Sequence, residues 1–322
     1  MSKFVLVGST VFDMYAAALP YLPGSEAAED EFDDRSLVHL PDPFVCSMGG
    51  NAGNTAFVLA RLGHAVTLCS PLGDDLFADW LRERLQREGV RLVELEPRET
   101  SVNVVGSDAI GRRASLFRPV APESATLVDT VSALAVAEGD RLLLAGYPHP
   151  DVEVMSALAA MAASRGATTA LDVGPRLAGL TEDLLQDTLS HIDLLFANDA
   201  EIVVLLGGNA QGRVSAAEMA GFARRRHLRV VAKHGTRGAS FHDGQQAVAV
   251  PAFRCRRARI TVGAGDAFNG GFMAAMTRTG SPAKALRYGA AVAVIVLERG
   301  VGMDGAPTLA EVDRYLADRD TP

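Results

Sequence analysis

The residues best suited to chemistry lie in one glycine-rich segment near the carboxyl end of the chain, residues 260–272, which read ITVGAGDAFNGGF. The small residues 263–265 lead directly into a helical pattern over residues 267–276. Successive backbone N–H groups and a helix N-terminus would then face one point, which suits a phosphate. Asp266, in the first turn, can accept a proton from a hydroxyl that attacks this phosphate. Its alternative role is to cap the helix, and the motif favours catalysis.

Two other phosphate-binding motifs fit this segment poorly. A dinucleotide-binding GxGxxG would need a third glycine where Phe268 stands, and it normally follows the first strand of its domain. The chain also contains no GK[ST], so it has no P-loop of the Walker type. An NAD-linked dehydrogenase is therefore the weakest of the enzyme interpretations.

A second glycine cluster occupies residues 228–238, LRVVAKHGTRG. It predicts a buried strand followed by a turn, in which Gly235 and Gly238 let the backbone bend beside a polyphosphate. Lys233 or Arg237 could supply positive charge. The alternative is an ordinary β-turn before the next strand.

A third segment, NDAE, places Asn198 and Glu201 three residues apart at the start of a predicted helix. The segment follows a strand, at the edge of the sheet where α/β proteins bind ligands. Glu201 could hold Mg²⁺ through water, because magnesium keeps much of its hydration shell. For Asn198 taken alone, capping of the helix is the better interpretation.

Polar residues near the amino end could bind a hydroxyl compound. Asp13 follows the first strand, and Gly49, Gly50 and Asn54 open the next helix. A carboxylate that accepts from two hydroxyls, an amide, and glycines that allow close approach are what a neutral polyol requires. A strand-end turn and the polar face of a helix are the alternative roles.

Alternating strands and helices must position these residues. Apolar runs typical of buried strands occupy residues 4–7, 65–68, 141–144, 168–171, 194–196 and 230–232. Helical patterns occupy residues 51–62, 74–88, 152–165 and 215–226. This alternation predicts one α/β domain over residues 1–322 with a mostly parallel central sheet. The acidic, proline-containing segment 14–46 and residues 101–117 interrupt the alternation, and we expect them to form a small β lid.

Composition limits the class of partner. The 322 residues carry a formal net charge of −8, and the pI is near 5.4. Such a chain does not attract nucleic acid or an anionic membrane surface. Three cysteines without CxxC spacing indicate neither a disulfide framework nor a zinc site. Without a signal-like or membrane-spanning stretch, we expect a soluble cytoplasmic protein.

Taken together, these segments resemble the ribokinase, or phosphofructokinase B (PfkB), superfamily of carbohydrate and nucleoside kinases. The matching pieces are GSxxxD ending at Asp13, GGxxxN at 49–54, NxxE at 198–201, KxGxxG at 233–238 and GAGD at 263–266. Their order and spacing cover nearly the whole chain. The resemblance implies a ribokinase-like three-layer α/β sandwich with a small β lid, through which many relatives form homodimers.

The resemblance also implies roles for individual residues. Asp266 would be the catalytic base, and the amides of Gly263, Ala264 and Gly265 would form the anion hole. The substrate site would contain Asp13, Gly49, Gly50 and Asn54. ATP would lie along Asn198, Lys233, Gly235, Thr236 and Gly238, and Glu201 would help to organise Mg²⁺.

The chain departs from the family pattern at three positions. Ile260 and Val262 stand where relatives often have Asp and Thr in DTTGAGD. That aspartate contributes to a cation site in K⁺-activated relatives, so the resemblance does not carry potassium dependence over to this chain. Asn51 replaces the lysine of the GGKGAN motif in ribokinases proper, so we do not expect a plain ribokinase. The acidic lid segment would serve an anionic phosphosugar poorly.

We therefore expect transfer of the ATP γ-phosphate to a hydroxyl of a sugar, sugar acid or nucleoside. The alternatives are a nucleoside kinase specifically, or a non-catalytic ligand-binding relative of the fold. The intact Asp266 counts against a non-catalytic protein, because such a protein needs no base in its anion site.

Overall fold

The fold is seen in a computed structural model that describes residues 3–19, 43–95, 99–108, 113–145, 152–174, 182–207, 214–256, 262–300 and 302–320. The strands of its larger sheet are β1 (Phe4–Gly8), β4 (Val66–Pro71), β5 (Arg91–Leu95), β8 (Arg141–Ala145), β9 (Thr168–Asp172), β10 (Leu194–Asn198), β11 (Arg229–Lys233), β12 (Ala239–His242) and β13 (Ala247–Val250). The spatial order is β13-β12-β11-β10-β9-β8-β1-β4-β5. Neighbouring strands run parallel except at β11–β12 and β12–β13, which are antiparallel.

Helices cover both faces of this sheet. They are α1 (Asn51–Arg61), α2 (Leu76–Arg87), α3 (Ser124–Ala133), α4 (Val152–Ser164), α5 (Glu182–Ser190), α6 (Asp199–Leu205), α7 (Ala216–Arg226), α8 (Ala264–Thr279), α9 (Pro282–Arg299) and α10 (Leu309–Asp320). Alternate residues of β1 point to opposite faces. Phe4 and Leu6 join the apolar core under α1, α8 and α9, whereas Val5 and Val7 join the core under α3, α4 and α7. The result is a three-layer sandwich.

A smaller sheet has the strand order β3-β2-β6-β7, formed by β2 (Val11–Leu19), β3 (Val45–Gly49), β6 (Ser101–Asp108) and β7 (Arg113–Arg118). The pairing β2–β6 is parallel, and the other two pairings are antiparallel. These strands fall in or beside the segments predicted as a lid. Strand β2 begins at Val11, three residues before the predicted boundary at 14, and Val11, Phe12 and Asp13 are all buried.

Three strand ends bring polar groups to one edge of the large sheet. Because β1, β8, β9, β10 and β11 are parallel, their carboxyl ends lie at the same edge. Asp172, Asn198 and Lys233 are the last residues of β9, β10 and β11. This is the edge at which open α/β sheets bind ligands.

The six predicted strands and four predicted helices are all confirmed, with ends that differ by a few residues. In the described part of the chain, no helix is long and apolar enough to cross a membrane. Ile260 and part of each predicted lid segment lie outside the described residues.

Candidate active site

Asp266 lies in a buried position at the start of α8. The residue is only 9% exposed. Its Oδ2 accepts a hydrogen bond of 2.7 Å from Asn54 Nδ2. Gly263 is the N-cap of α8 and Asp266 is its third residue. The carboxylate is therefore held by a side chain of α1, and the capping alternative does not describe its contacts.

The surroundings of Asp266 change its acid–base behaviour. Burial raises the pKa of this carboxyl to about 7, and the nearby charge of Asp172 acts in the same direction. The Asn54 hydrogen bond and the charge of Lys233 oppose the shift. A carboxylate with this pKa can accept a proton efficiently near neutral pH.

The backbone before Asp266 contains the residues predicted to form an anion site. Gly263 has φ +82°, a left-handed conformation that glycine adopts without strain. A Cβ at Gly263 would lie 2.6 Å from Met303 Cε and 3.2 Å from Asn54 Nδ2, so a side chain there would disturb the residue that holds Asp266. The helix then begins at Ala264, and its first N–H groups point toward the open end of the helix.

A cavity of about 580 Å³ lies beside this helix start. It is lined by Lys233, Gly235, Thr236, Gly238, Ala239, Ala252, Phe253, Arg254, Cys255, Ala264, Gly265, Phe268, Ala290, Ala293, Val294 and Leu297. Four of the predicted nucleotide residues are in this wall. The apolar side chains of α9 and Phe253 complete it, and a mostly apolar cavity of this size with few polar groups suits an aromatic base.

A largely buried ion pair includes Lys233 of the cavity wall. Lys233 Nζ donates to Asp172 Oδ1 at 2.9 Å, and Asn51 Nδ2 donates to Asp172 Oδ2 at 3.1 Å. Burial alone would lower the pKa of the Lys233 ammonium, but the charge and hydrogen bond of Asp172 outweigh it and the pKa is raised. Lys233 is thus a protonated cation in the wall of the cavity.

The turn after Lys233 is fixed to the next element. His234 Nδ1 lies 2.6 Å from Asp199 Oδ1, and His234 Nε2 lies 2.8 Å from Ser240 Oγ. Arg237 also donates to Asp199. These contacts tie the glycine turn, with Gly235 at φ +59° and Gly238 at φ +109°, to the first residue of α6. The turn is therefore held in one position beside the cavity.

Asn198 and Glu201 form a reciprocal capping box at the start of α6. Asn198 Oδ1 accepts from Glu201 N at 3.0 Å, and Glu201 Oε2 accepts from Asn198 N at 2.8 Å. Burial raises the pKa of Glu201 to about 7, although the hydrogen bond from Asn198 opposes this shift. The capping interpretation of Asn198 is correct for this structure.

The predicted acceptor residues meet where the small sheet joins α1. Asp13 Oδ2 accepts from Tyr15 Oη at 2.9 Å, and its Oδ1 accepts from Asn103 Nδ2 at 3.2 Å. Burial raises the pKa of Asp13 to about 6 against the effect of these hydrogen bonds. A Cβ at Gly49 would overlap the Asp13 carboxyl group, so only glycine fits there.

Two amide oxygens at this end remain without a hydrogen-bond partner. Asn54 Oδ1 and Asn103 Oδ1 are both buried, and neither has a partner among the described residues. A buried acceptor without a donor is costly, so each is suited to accept from a ligand hydroxyl.

A metal ion has no ready-made cage here. Within the residues that the structure describes, no group of three or more His, Cys, Asp or Glu side chains could hold one. Mg²⁺ usually takes one or two protein carboxylates and completes its shell with water and phosphate oxygens.

The parallel sheet, the helix N-terminus and the buried carboxylate beside an apolar cavity are features that suit phosphoryl transfer in an α/β protein. The profile of the pfkB family of carbohydrate kinases matches residues 2–309. The chain belongs to this family. It is accordingly an ATP-dependent sugar kinase, a phosphotransferase that moves the γ-phosphate to an alcohol group of its acceptor.

Known proteins are similar to this chain over most of its length. An ATP-dependent ribose-1-phosphate kinase from Halopiger xanaduensis is 30% identical over 285 residues, which cover 85% of this chain and 88% of that protein. A ribokinase from Haemophilus influenzae is 26% identical, with 83% and 87% covered. The solved structure of Arabidopsis thaliana ribokinase complexed with ribose and ATP has a TM-score of 0.74 and 22% identity, covering 98% of this chain and 99% of that one. This last likeness supports the fold.

Sequence reasoning missed two groups of site residues. Asp172 ends a strand that was recognised, and a single acid at that edge of a parallel sheet was the available signal. The second group lies on α9, which lines part of the cavity and was not predicted as a helix. Its start signals, Ser281 as N-cap and Pro282 at the first position, would have identified a helix.

Proposed function

We propose that the enzyme phosphorylates a primary hydroxyl of a sugar, sugar acid or nucleoside, with Asp266 as the general base. The single observation that carries this proposal is the buried Asp266 carboxylate, held by Asn54 at the N-terminus of α8 with its pKa raised to about 7. A base in this position is poised to act at neutral pH.

The reaction follows from these positions. Asp266 accepts the proton of the acceptor hydroxyl as its oxygen bonds to the γ-phosphorus. The bond from that phosphorus to the β–γ bridging oxygen breaks, and ADP leaves. The backbone N–H groups of Gly263, Ala264 and Gly265 stabilise the charge on the phosphoryl oxygens during transfer. The cavity holds the base and ribose of ATP along Gly235, Thr236 and Gly238.

The acceptor end favours a neutral polyol. Asp13, Tyr15, Asn54 and Asn103 carry no positive charge, and the free oxygens of the two amides accept hydroxyl hydrogens. Asp13 can accept from two neighbouring hydroxyls while Gly49 and Gly50 allow the ring to approach closely. We therefore place neutral sugars and nucleosides ahead of sugar acids and phosphosugars. A phosphorylated ribose is the second candidate, because the relative at 30% identity is a ribose-1-phosphate kinase.

Glu201 is our proposed protein contact for Mg²⁺. Its Oε2 is engaged in the capping box, and its partly buried carboxyl lies within electrostatic range of Asp172 and Lys233. The ion, when bound with ATP, would neutralise charge on the phosphates, and Glu201 would hold it through water. Asn198 supports this by fixing the Glu201 side chain.

We propose that the chain forms a single domain and that its small sheet acts as a lid. The same sheet would form the interface of a homodimer. Cross-strand register places Asp13, Asn103 and Phe117 on one face. Met14, Val104 and Leu116 lie on the other, where Leu116 is 62% exposed. The first face carries acceptor groups. The second offers apolar surface to a second copy of the chain.

The proposed location is the cytoplasm. The described cysteines, Cys46, Cys69 and Cys255, are all free thiols, which is typical of a reducing compartment. ATP as phosphoryl donor is consistent with the same compartment.

An acceptor screen tests the proposed function. Purified enzyme with Mg·ATP is incubated with pentoses, hexoses, ribose 1-phosphate, sugar acids and nucleosides, and ADP release is measured. We expect turnover with a neutral sugar or nucleoside. Turnover with ribose 1-phosphate alone would move the second candidate to first place, and ATP binding without turnover of any acceptor would support a non-catalytic relative.

A further inference from the structure

The buried pair formed by Asp172 and Lys233 has no evident structural purpose. The attraction within such a pair must offset the cost of removing two charges from water. Replacing the whole pair by apolar residues is often neutral or stabilising for the folded protein. Here the Asp172 residue is 3% exposed and its partner side chain 17% exposed. A costly pair at the edge of the sheet where the phosphates bind therefore points to function.

Lys233 lies close to the start of α8. Its Nζ is 3.6 Å from the position of a Cβ built on Gly265, which places the ammonium beside the first turn of that helix. The same turn carries Asp266, whose charge also acts on Lys233. An ammonium here would contact the phosphate nearest Asp266, the proposed general base. In bound ATP this is the γ-phosphate.

Asp172 controls where this ammonium can lie. It uses one of the three N–H donors of Lys233, at 2.9 Å, and the others remain available to phosphate oxygens. Its second oxygen is held by Asn51, the first residue of α1 on the acceptor side. The three side chains thus connect the acceptor helix with the nucleotide turn.

We propose that Lys233 is a catalytic residue that contacts the transferred γ-phosphoryl group, and that Asp172 is the positioning residue that holds it there, itself oriented by Asn51. This inference rests on the proposed function. A flexible four-carbon side chain without Asp172 would spread over several rotamers, and misplacement by about 1 Å can cost on the order of 100-fold in rate.

The test is a double-mutant cycle at pH 8.5, where Asp266 is ionised. We expect Lys233→Met to lower kcat about 100-fold and Asp172→Asn about tenfold. The double variant should resemble Lys233→Met alone, because Asp172 acts through Lys233. Losses that multiply to about 1,000-fold would contradict a positioning role, as would unchanged activity of Asp172→Asn.

Nucleotide binding provides a readout that needs no turnover. By calorimetry, both single variants should bind the ATP analogue AMP-PNP several-fold more weakly than wild type, whereas their affinity for ADP should not change. Equal weakening for both nucleotides would overturn the γ-phosphate assignment. Because this comparison does not depend on an acceptor, failure of the proposed function, seen as no turnover by wild type, is distinguishable from failure of this inference.

Loss of folding is controlled within the same set. Lys233→Met leaves a buried carboxylate without its partner, whereas the double variant removes both charges and restores neutrality. Asn51→Ala leaves the ion pair intact but frees Asp172, and we expect it to lower kcat by a few-fold with unchanged affinity for ADP. An Asn51→Ala enzyme with wild-type kcat would remove Asn51 from the proposed chain.

Discussion

Asp266 combines two requirements that conflict in most proteins. It is buried enough for its pKa to rise to about 7, yet as the proposed base it must be ionised to accept a proton. The sequence predicted this residue because glycines and a helix start surround it. The sequence could not predict that Asn54, 212 positions away, would hold its carboxylate, because that contact depends on how α1 and α8 pack.

The pKa of Asp266 sets the first prediction. Since only the ionised carboxylate can act as base, kcat/KM for the acceptor at saturating Mg·ATP should rise with pH and level off above about 7. Below that value activity should fall about tenfold per pH unit, and more steeply below about 6, where Asp13 also takes up a proton. A pH–rate profile with its acid limb near pH 4, the ordinary range of an Asp, would contradict the raised pKa.

The Asp172–Lys233 contact shows why sequence reasoning missed part of the site. The two residues belong to β9 and β11, with β10 between them. They lie about two strand spacings apart, roughly 10 Å, and only the long Lys side chain closes that gap. Strand order decides this contact, and no local pattern reports it.

At the scale of elements, caps explain what could be predicted. Three of the helices that were recognised end at Gly63, Gly89 and Gly166, whose φ values of +87°, +76° and +76° are those of left-handed stops. Helices such as α3 and α5 lack such clear signals and were missed. The start of α8 was predicted because its glycines indicate both a helix start and a proposed anion site.

A matched pair of glycine substitutions tests the start of α8. Gly263→Ala and Gly280→Ala change the two residues that flank this helix, and both have positive φ, +82° and +62°. Each should cost about 1–2 kcal/mol in free energy of unfolding, because alanine is strained there. Only Gly263→Ala should also lower kcat, since its Cβ meets Met303 and Asn54, whereas a Cβ at Gly280 meets nothing within 4 Å.

Thermal or urea unfolding gives the stability of the two variants, and initial rates give their kcat. Equal losses of stability with equal kcat would show that the backbone at Gly263 does not position Asn54 and Asp266. A selective loss of kcat in Gly263→Ala would support the anion site as described.

For the whole molecule, alternation of strands and helices predicted the α/β class but not the strand order. The first strand lies in the interior of the sheet, between β8 and β4, and the small sheet pairs β2 with β6 across some 90 residues. These are long-range pairings that one sequence does not reveal. The lid was predicted only as two irregular segments, and part of each lies outside the described residues.

The proposed dimer gives a prediction at this scale. Leu116→Glu places a charge on the apolar face of the small sheet, and we expect light scattering or sedimentation to show a shift from dimer to monomer. Leu76→Glu is the control, since Leu76 is 83% exposed on α2 and outside the small sheet. A dimer that survives Leu116→Glu, or a monomeric wild type, would contradict an interface through this face.

The central claim is that Asp266 is the base of a phosphoryl transfer from ATP, and Asp266→Asn tests it most directly. The substitution keeps the shape and can still accept the Asn54 hydrogen bond, but it removes the proton acceptor. With the acceptor found by the screen, we expect kcat to fall by about 10²–10⁴-fold while calorimetry shows AMP-PNP binding within a few-fold of wild type. Near-normal turnover by a folded Asp266→Asn enzyme would contradict the account.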